Sequence, residues 1–355
     1  MVDVLRELVR RGHQVLVASA RPLGELCAQY ELDFAEVGPA FRVGEEARLV
    51  PALAKARHEG DRDFPYTRRV LVETLAHATL PDLTRLVRRW RPDVLVRDPV
   101  EFAGLAVAEA ASLPHVAGRD NRFLPPRIWR AELGGSLEVL GRVAGTATLD
   151  ADVLYRYLTL APALPSFVTA TEDLPDPREF GVHIGPTHCF LRPRTPSPPG
   201  TPPWTGPDGA VLFTFGTVFT ADAAVRTAVR AATAGLGRAM TEPRHWLDFN
   251  AVLPHCAAVV TAGGFGTTMA ALRHGVPLVV VPAGADHVTN GRRCAALGVG
   301  RTVPREALTA GSLRSAIDAV TSEPAYAAAA GELAAEWAGL PDREVGAQLV
   351  EELCG

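Results

Sequence analysis

The chain has 355 residues, 36 basic and 40 acidic side chains, a formal net charge of -4 and 47% hydrophobic residues. That length accommodates two α/β domains, each with a core of its own, and the charge balance argues against a polyanion-binding surface, so no nucleic-acid partner is expected. No apolar run approaches the roughly 20 residues that span a bilayer; the N-terminus MVDVLRELVRRGH lacks a signal-peptide core; and the five cysteines have no paired spacing, which predicts reduced thiols, a cytoplasmic location and no metal site.

In chain order, residues 2–10 place Val2, Leu5, Leu8 and Val9 on one helical face and Arg6, Glu7 and Arg10 on the other. Gly12 ends that helix; residues 14–19 and 34–37 predict strands, and 45–59 a loop with helical character. A parallel α/β domain ordinarily opens with a strand, whereas this chain opens inside a helix. Residues 68–89 predict a long amphipathic helix stopped by Pro92, and 93–97 a strand that ends at Asp98. A carboxylate at the C-terminal end of a parallel strand stands where ligands bind in open α/β sheets; the plainer reading is a cap for a helix beginning near Val100. Residues 105–111 predict a helix, 114–117 a strand and 121–164 an irregular, then helical stretch. Its aromatics, Phe123, Trp129, Tyr155 and Tyr157, are expected to pack in the core rather than to stack on a ligand. A short strand over 183–188 precedes the proline-rich linker 192–207, RPRTPSPPGTPPWTGP.

The second half opens with a buried-type strand, 210–216, turning at Gly216 and Thr217, and an alanine-rich helix over 221–236. Residues 237–244 contain no β-rich run. His255 is expected to serve a helix C-terminus. Then come an apolar run, 257–261, the turn Gly263, Gly264, Gly266 and Thr267, a helix over 268–274, a second apolar run over 276–281 ending at Pro282, and a loop with Asp286, His287 and Asn290. Strand, glycine turn, helix, strand is a βαβ unit whose turn gathers unpaired N–H groups at the positive end of a helix dipole, a place for phosphate. A nicotinamide fingerprint fits less well, because it calls for a third glycine and an acidic residue where Pro282 stands. Helices over 307–322, 326–340 and 342–353 close the chain.

Residues 253–303 as a whole resemble the nucleotide-sugar signature of the family 1 glycosyltransferases, especially the bacterial enzymes that glycosylate antibiotics. The resemblance implies an α/β, GT-B fold: two Rossmann-like domains whose parallel sheets face one another across a cleft. Residues 1–191 would form the acceptor-binding domain, 192–207 the linker, and 208–355 the nucleotide-sugar-binding domain, its last helix crossing back. It further implies that Gly263, Gly264, Gly266 and Thr267 hold the donor pyrophosphate, with Gly216 and Thr217 facing the same phosphates. Asp286 and His287 stand where the family has an Asp-Gln pair for the sugar hydroxyls, Asn290 follows at the family's spacing, and Trp246 opens the base-binding segment. Asp98 matches the acid that orients the catalytic histidine.

This chain departs from the pattern in several places. The family's first strand and the histidine loop after it have no counterpart, and one strand of the second domain is expected to be missing around 237–244. Asp248 and Phe249 replace a Pro-Gln pair, Ala262 replaces a histidine that donates to a phosphate oxygen, and His287 replaces the glutamine. The function implied is inverting, metal-independent transfer of a hexose or deoxysugar from a TDP- or UDP-sugar to a hydroxyl of a small-molecule natural product, with no cofactor beyond the nucleotide sugar. The alternative is an inactive truncated homologue or an auxiliary nucleotide-sugar-binding protein; a homodimer is left open.

Overall fold

The computed structural model describes residues 1–40, 63–118, 123–146, 149–170, 184–192, 197, 204–215, 223–234, 236, 239–240, 247–283 and 286–354. The chain divides into two compact units: Met1–Pro162 with Pro175–Pro198 and Pro341–Gly355, and Ala163–Leu174 with Pro199–Leu340. Among the described residues no helix is long and apolar enough to cross a membrane. The expected loop over 45–59 lies outside the described residues.

In the first unit, β1 (Leu16–Ser19) and β2 (Asp33–Glu36) pair in parallel as a two-stranded sheet. A second sheet runs in the order β3 (Leu95–Arg97), β4 (His115–Gly118), β5 (Leu158–Ala161) and β6 (His188–Phe190), again all parallel. Two of these differ from the sequence reading. β5 falls inside the stretch expected to be helical, and β6 lies at 188–190 rather than 183–188. Strands of three or four residues give too short an alternation to read locally; each is defined by a parallel neighbour far along the chain.

The long helix predicted over 68–89 is helical but not uniform: Thr67–Ala76 is π-helical and His77–Trp90 α-helical. In the wide turns the Thr74 hydroxyl donates to Arg69 O at 2.7 Å and His77 Nδ1 donates to Val72 O at 3.0 Å, each five residues back. Pro81, inside the following α-helix, has no N–H for the carbonyl four residues earlier. The inward residues Leu80 and Leu83 pack with Phe102, Leu105, Trp129, Leu133 and Leu137 as one core. Phe123 and Trp129 are fully or nearly fully buried, the Trp129 indole donates to Tyr155 Oη at 3.0 Å, and that hydroxyl donates to Leu124 O at 2.9 Å. These aromatics therefore pack the interior.

The second unit carries a five-stranded parallel sheet in the order β11 (Gly300–Thr302), β10 (Leu278–Val280), β9 (Cys256–Thr261), β7 (Ala210–Thr214) and β8 (Ala239–Met240). β8 corrects the expectation that 237–244 holds no strand. Two residues suffice, because an edge strand needs only the backbone pairing Val211 with Ala239 and Leu212 with Met240. β11 was not foreseen as a strand either, and forms by parallel pairing with β10. The core is drawn from Val211, Phe213, Val260, Val279, Leu313 and Ile317.

The last helix, Arg343–Glu351, packs within the first unit against the first helix, Val2–Arg10. Val4 and Leu8 meet Ala347, Val350 and Leu191 in one apolar cluster. A Cβ on Gly346 would stand 2.9 Å from Leu191 Cδ1 and 3.0 Å from Val4 Cγ2, so the helices approach to a distance that glycine permits. Around this contact Glu7, with its side chain 1% exposed, accepts from Arg10 Nε at 2.8 Å and Arg11 Nε at 2.9 Å, while Arg11 also donates to Glu351 and to Glu344 O. The hydrogen bonds from Arg10 and then Arg11 pull the Glu7 carboxyl down from 4.5 to about 2. A depressed carboxyl pKa stabilises the fold above the unfolded value, and that stability is lost as pH falls toward the folded one. Urea unfolding followed from pH 5.5 down to 2.5 is expected to show falling stability in the wild type and a shallower fall in Glu7→Gln; equal slopes would remove Glu7 from the account.

Candidate functional site

The order of the five-stranded sheet places the reversal of strand order between β7 and β9, since β8 is added on one side of β7, and β9, β10 and β11 on the other. In open parallel sheets the crevice for a ligand lies at such a point, outside the carboxyl ends of the strands. Thr214, Thr261 and Val280 are register partners, so β7, β9 and β10 end at the same level. The glycine turn begins there.

Gly263 has φ +92°, in the left-handed region that favours glycine. A Cβ on it would lie 2.6 Å from Val280 Cγ1 and 3.2 Å from His287 O, so the position is closed sterically as well. Its amide donates to Thr261 Oγ1 at 3.3 Å, and its carbonyl accepts from Asn290 Nδ2 at 2.8 Å. Asn290 Nδ2 also donates to Asp286 Oδ2 at 2.9 Å. Gly263 is thus the corner of the turn, and its own polar groups are engaged internally.

Gly264 is the N-cap of the helix Phe265–Arg273 and accepts from Thr268 N and Thr268 Oγ1. The amides of Phe265, Gly266 and Thr267 precede that first intrahelical bond and have no carbonyl behind them in the helix. Gly266 is exposed, and a Cβ on it would meet nothing within 4 Å. Three amides, the positive end of the helix dipole and open space beside them are the features that favour an anion at a helix start.

The loop after β10 supplies the rest. Asp286 precedes the helix His287–Ala296, and Asn290 one turn on is buried. The spacing Asp286-x-x-x-Asn290 puts both on one side of the helix, where they brace the Gly263 carbonyl. His287 is also buried, and its Nδ1 accepts from Ala283 N at 3.3 Å. Behind it burial pushes the Cys294 thiol up to about 12. Pro165–Thr169, from the middle of the chain, joins this unit: Phe167 packs edge-on against Phe265 at 6.4 Å, and the Arg293 guanidinium lies over the Phe167 ring.

The remaining expected residues are distributed as follows. Gly216, Thr217 and Trp246 lie outside the described residues. Asp248 is buried and caps the short helix Phe249–Val252 by accepting from Asn250 N at 2.9 Å. His255 ends the 3-10 helix Leu253–His255, and its side chain pairs with Asp208 at 2.7 Å and stacks on Trp204.

In the first unit Asp98 follows β3, is exposed, and accepts from Val100 N through Oδ1 at 3.1 Å. It does not cap the helix. That is done by Glu101, N-cap of Phe102–Ala110, which accepts from Ala103 N at 2.9 Å and Gly104 N at 2.6 Å. Burial pushes the Glu101 carboxyl above its ordinary range, opposed by the Gly104 amide and by Arg97. The sequence signal was present, an acid directly before the apolar run FAGLAVA, but Asp98 is the commoner capping residue type.

The brace gives a direct test. Asn290→Ala leaves the buried Gly263 carbonyl without its donor and is expected to lower stability by about 1–3 kcal/mol. Asn290→Asp should be worse, since a carboxylate cannot donate to Gly263 O and adds charge beside Asp286. Urea unfolding of both variants checks the order.

Comparison with known proteins identifies the family. Residues 7–120 match the N-terminal domain, and residues 217–353 the C-terminal domain, of the family described as erythromycin biosynthesis protein CIII-like. The chain is 31% identical to elloramycin glycosyltransferase ElmGT of Streptomyces olivaceus over 291 residues, 75% of this chain and 70% of that protein. It is 32% identical to 4'-demethylrebeccamycin synthase of Lentzea aerocolonigenes over 422 aligned positions, 95% of this chain and 92% of that protein. Among solved structures, the glycosyltransferase VinC in complex with dTDP superposes with a TM-score of 0.74 at 22% identity, covering 100% of this chain and 95% of that one. The chain belongs to the erythromycin CIII-like family, antibiotic-type family 1 glycosyltransferases of GT-B fold.

Proposed function

We propose that the protein transfers a hexose or deoxysugar from a TDP- or UDP-sugar to a hydroxyl of a small-molecule natural product, with inversion and without a metal ion or other cofactor. The observation that carries the donor half is the Gly264 helix terminus at the strand-order reversal of the second unit, with Gly266 open beside it. VinC, a neighbour in fold, was solved with dTDP, which favours a nucleoside diphosphate at the corresponding place here.

In this reading the acceptor hydroxyl passes its proton to a solvent water on the acceptor side while its oxygen attacks the anomeric carbon from the face opposite the diphosphate, as the bond from that carbon to the phosphate oxygen breaks. Negative charge collects on the departing diphosphate. The amides of Phe265, Gly266 and Thr267 and the dipole of the helix behind them are already oriented toward it, so stabilisation requires little reorganisation. Asp286 and His287 would lie along the sugar and diphosphate. Asp98, exposed at the end of β3, is assigned to the acceptor side, where a carboxylate favours the positive charge that develops on the water that takes the proton.

Titration calorimetry with TDP and UDP, followed by product analysis with TDP- and UDP-sugars and a panel of polyketide and aromatic acceptors, tests the reading. Product of inverted anomeric configuration, undiminished by EDTA, is expected. Asp98→Asn should lower turnover by at least tenfold, about 1.4 kcal/mol in the barrier, with TDP affinity unchanged. Nucleotide binding with no product from any pair would instead make the chain a nucleotide-sugar-binding protein, and absence of nucleotide binding would end the donor assignment.

A further inference from the structure

We propose that Phe167 is a positioning residue for the donor diphosphate: by packing against Phe265 it holds the open first turn of the helix Phe265–Arg273 in place. The proposal rests on the nucleotide-sugar reading above and adds to it a residue outside both the glycine turn and the loop after β10.

That first turn has no side-chain cap. Gly264 stands at the N-cap position and offers no side chain, so the amides of Phe265, Gly266 and Thr267 are aimed by whatever holds the backbone around them. One hold is the Gly263 corner, fastened through Asn290. The second is the buried side chain of Phe265, the first helical residue. Its ring meets the Phe167 ring edge-on, with centroids 6.4 Å apart and planes at 66°. Edge-to-face packing is a favoured arrangement of aromatic pairs, and it fixes direction as well as distance.

Phe167 is itself held. It is fully buried, in the short helix Pro165–Thr169 that follows β5 along the chain. The Arg293 guanidinium lies 5.7 Å from its ring centroid, and Arg293 belongs to the helix that begins at His287, against the same corner. Ser166 N donates to Glu336 Oε1 at 3.0 Å, and Glu336 stands in the helix Pro324–Gly339, which packs against Phe265–Arg273. The segment thus touches three helices of the second unit, two of which start at the glycine corner. Truncating the ring removes the contact on Phe265 and lets the first turn shift. That matters because amides stabilise an anion best where they are already aimed at it.

Titration of the full chain with TDP by calorimetry and with thymidine by ligand-observed NMR reads this role, comparing wild type, Phe167→Leu and the control Leu313→Ala. Leu313 is a fully buried core residue of the second unit outside the ring pair, on the helix Ala310–Ser322. An aromatic pair corresponds to at most about a tenfold change in an equilibrium constant, so Phe167→Leu is expected to weaken TDP roughly 3- to 10-fold. Thymidine, which carries no diphosphate, should bind as in the wild type, and Leu313→Ala should leave both affinities unchanged. Unchanged TDP affinity in folded Phe167→Leu overturns the proposal. So does an equal loss for thymidine or in Leu313→Ala, since either makes the effect general. Failure of the wild type to bind TDP overturns the donor reading, and this proposal with it. Coupling is reciprocal: a contact that strengthens diphosphate binding is itself strengthened by the diphosphate. Hydrogen exchange on the wild type therefore decides even where Phe167→Leu does not fold. TDP is expected to slow exchange at the Val168 amide, which donates to Leu164 O at 3.1 Å, together with the amides of Phe265, Gly266 and Thr267; protection confined to the glycine turn refutes the role.

Discussion

The left-handed turn at Gly263 is the constraint from which the geometry at the carboxyl edge of the second unit's sheet follows. With φ +92°, and with Val280 and the backbone of His287 packed against the α-carbon, no other residue type fits without moving β10 or the helix that starts at His287. The turn sends the chain from the end of β9 directly into the helix Phe265–Arg273, so the amides of the first helical turn emerge at the sheet's reversal point. A side-chain amide two elements away fastens it. Asn290 reaches back to the Gly263 carbonyl and holds Asp286 with the same nitrogen. The corner, the helix end and the start of the next helix are therefore held as one assembly by hydrogen bonds within the protein.

The first unit shows a division of labour between two acids only three residues apart. Glu101 takes the capping role, half-buried against the amides of Ala103 and Gly104, while Asp98 stays exposed at the strand end with one oxygen engaged by Val100 N. Because the cap is supplied elsewhere, the Asp98 carboxylate is not consumed by the helix. In the same unit the first and last helices close on one another through Gly346, with Glu7 as the buried anion that gathers Arg10 and Arg11. The end of the chain is thereby part of the unit that contains its beginning.

Legibility differed between elements for identifiable reasons. The βαβ unit around Gly263 could be read because β9 and β10 are apolar runs bounded by glycine and proline, and because only a few turn geometries join such a run to a helix. Strands β5, β8 and β11 escaped because two to four residues carry no periodicity of their own. The π-helical stretch Thr67–Ala76 escaped because its apolar spacing resembles that of an α-helix. Phe123 and Trp129 were placed in the core by residue type alone, and their burial agrees.

The site divides along the same line. Sequence alone determined where the glycine corner and the helix start fall, because a glycine turn between an apolar strand and a helix is a property of a contiguous segment. Only the tertiary structure decided that Asn290 braces the Gly263 carbonyl, that the Ala283 amide donates to His287 Nδ1, and that Glu101 rather than Asp98 caps the helix. Each of these depends on where a donor and an acceptor stand within about 3 Å of one another, and such distances are set by the packing of helices on the sheet rather than by the order of residues along the chain.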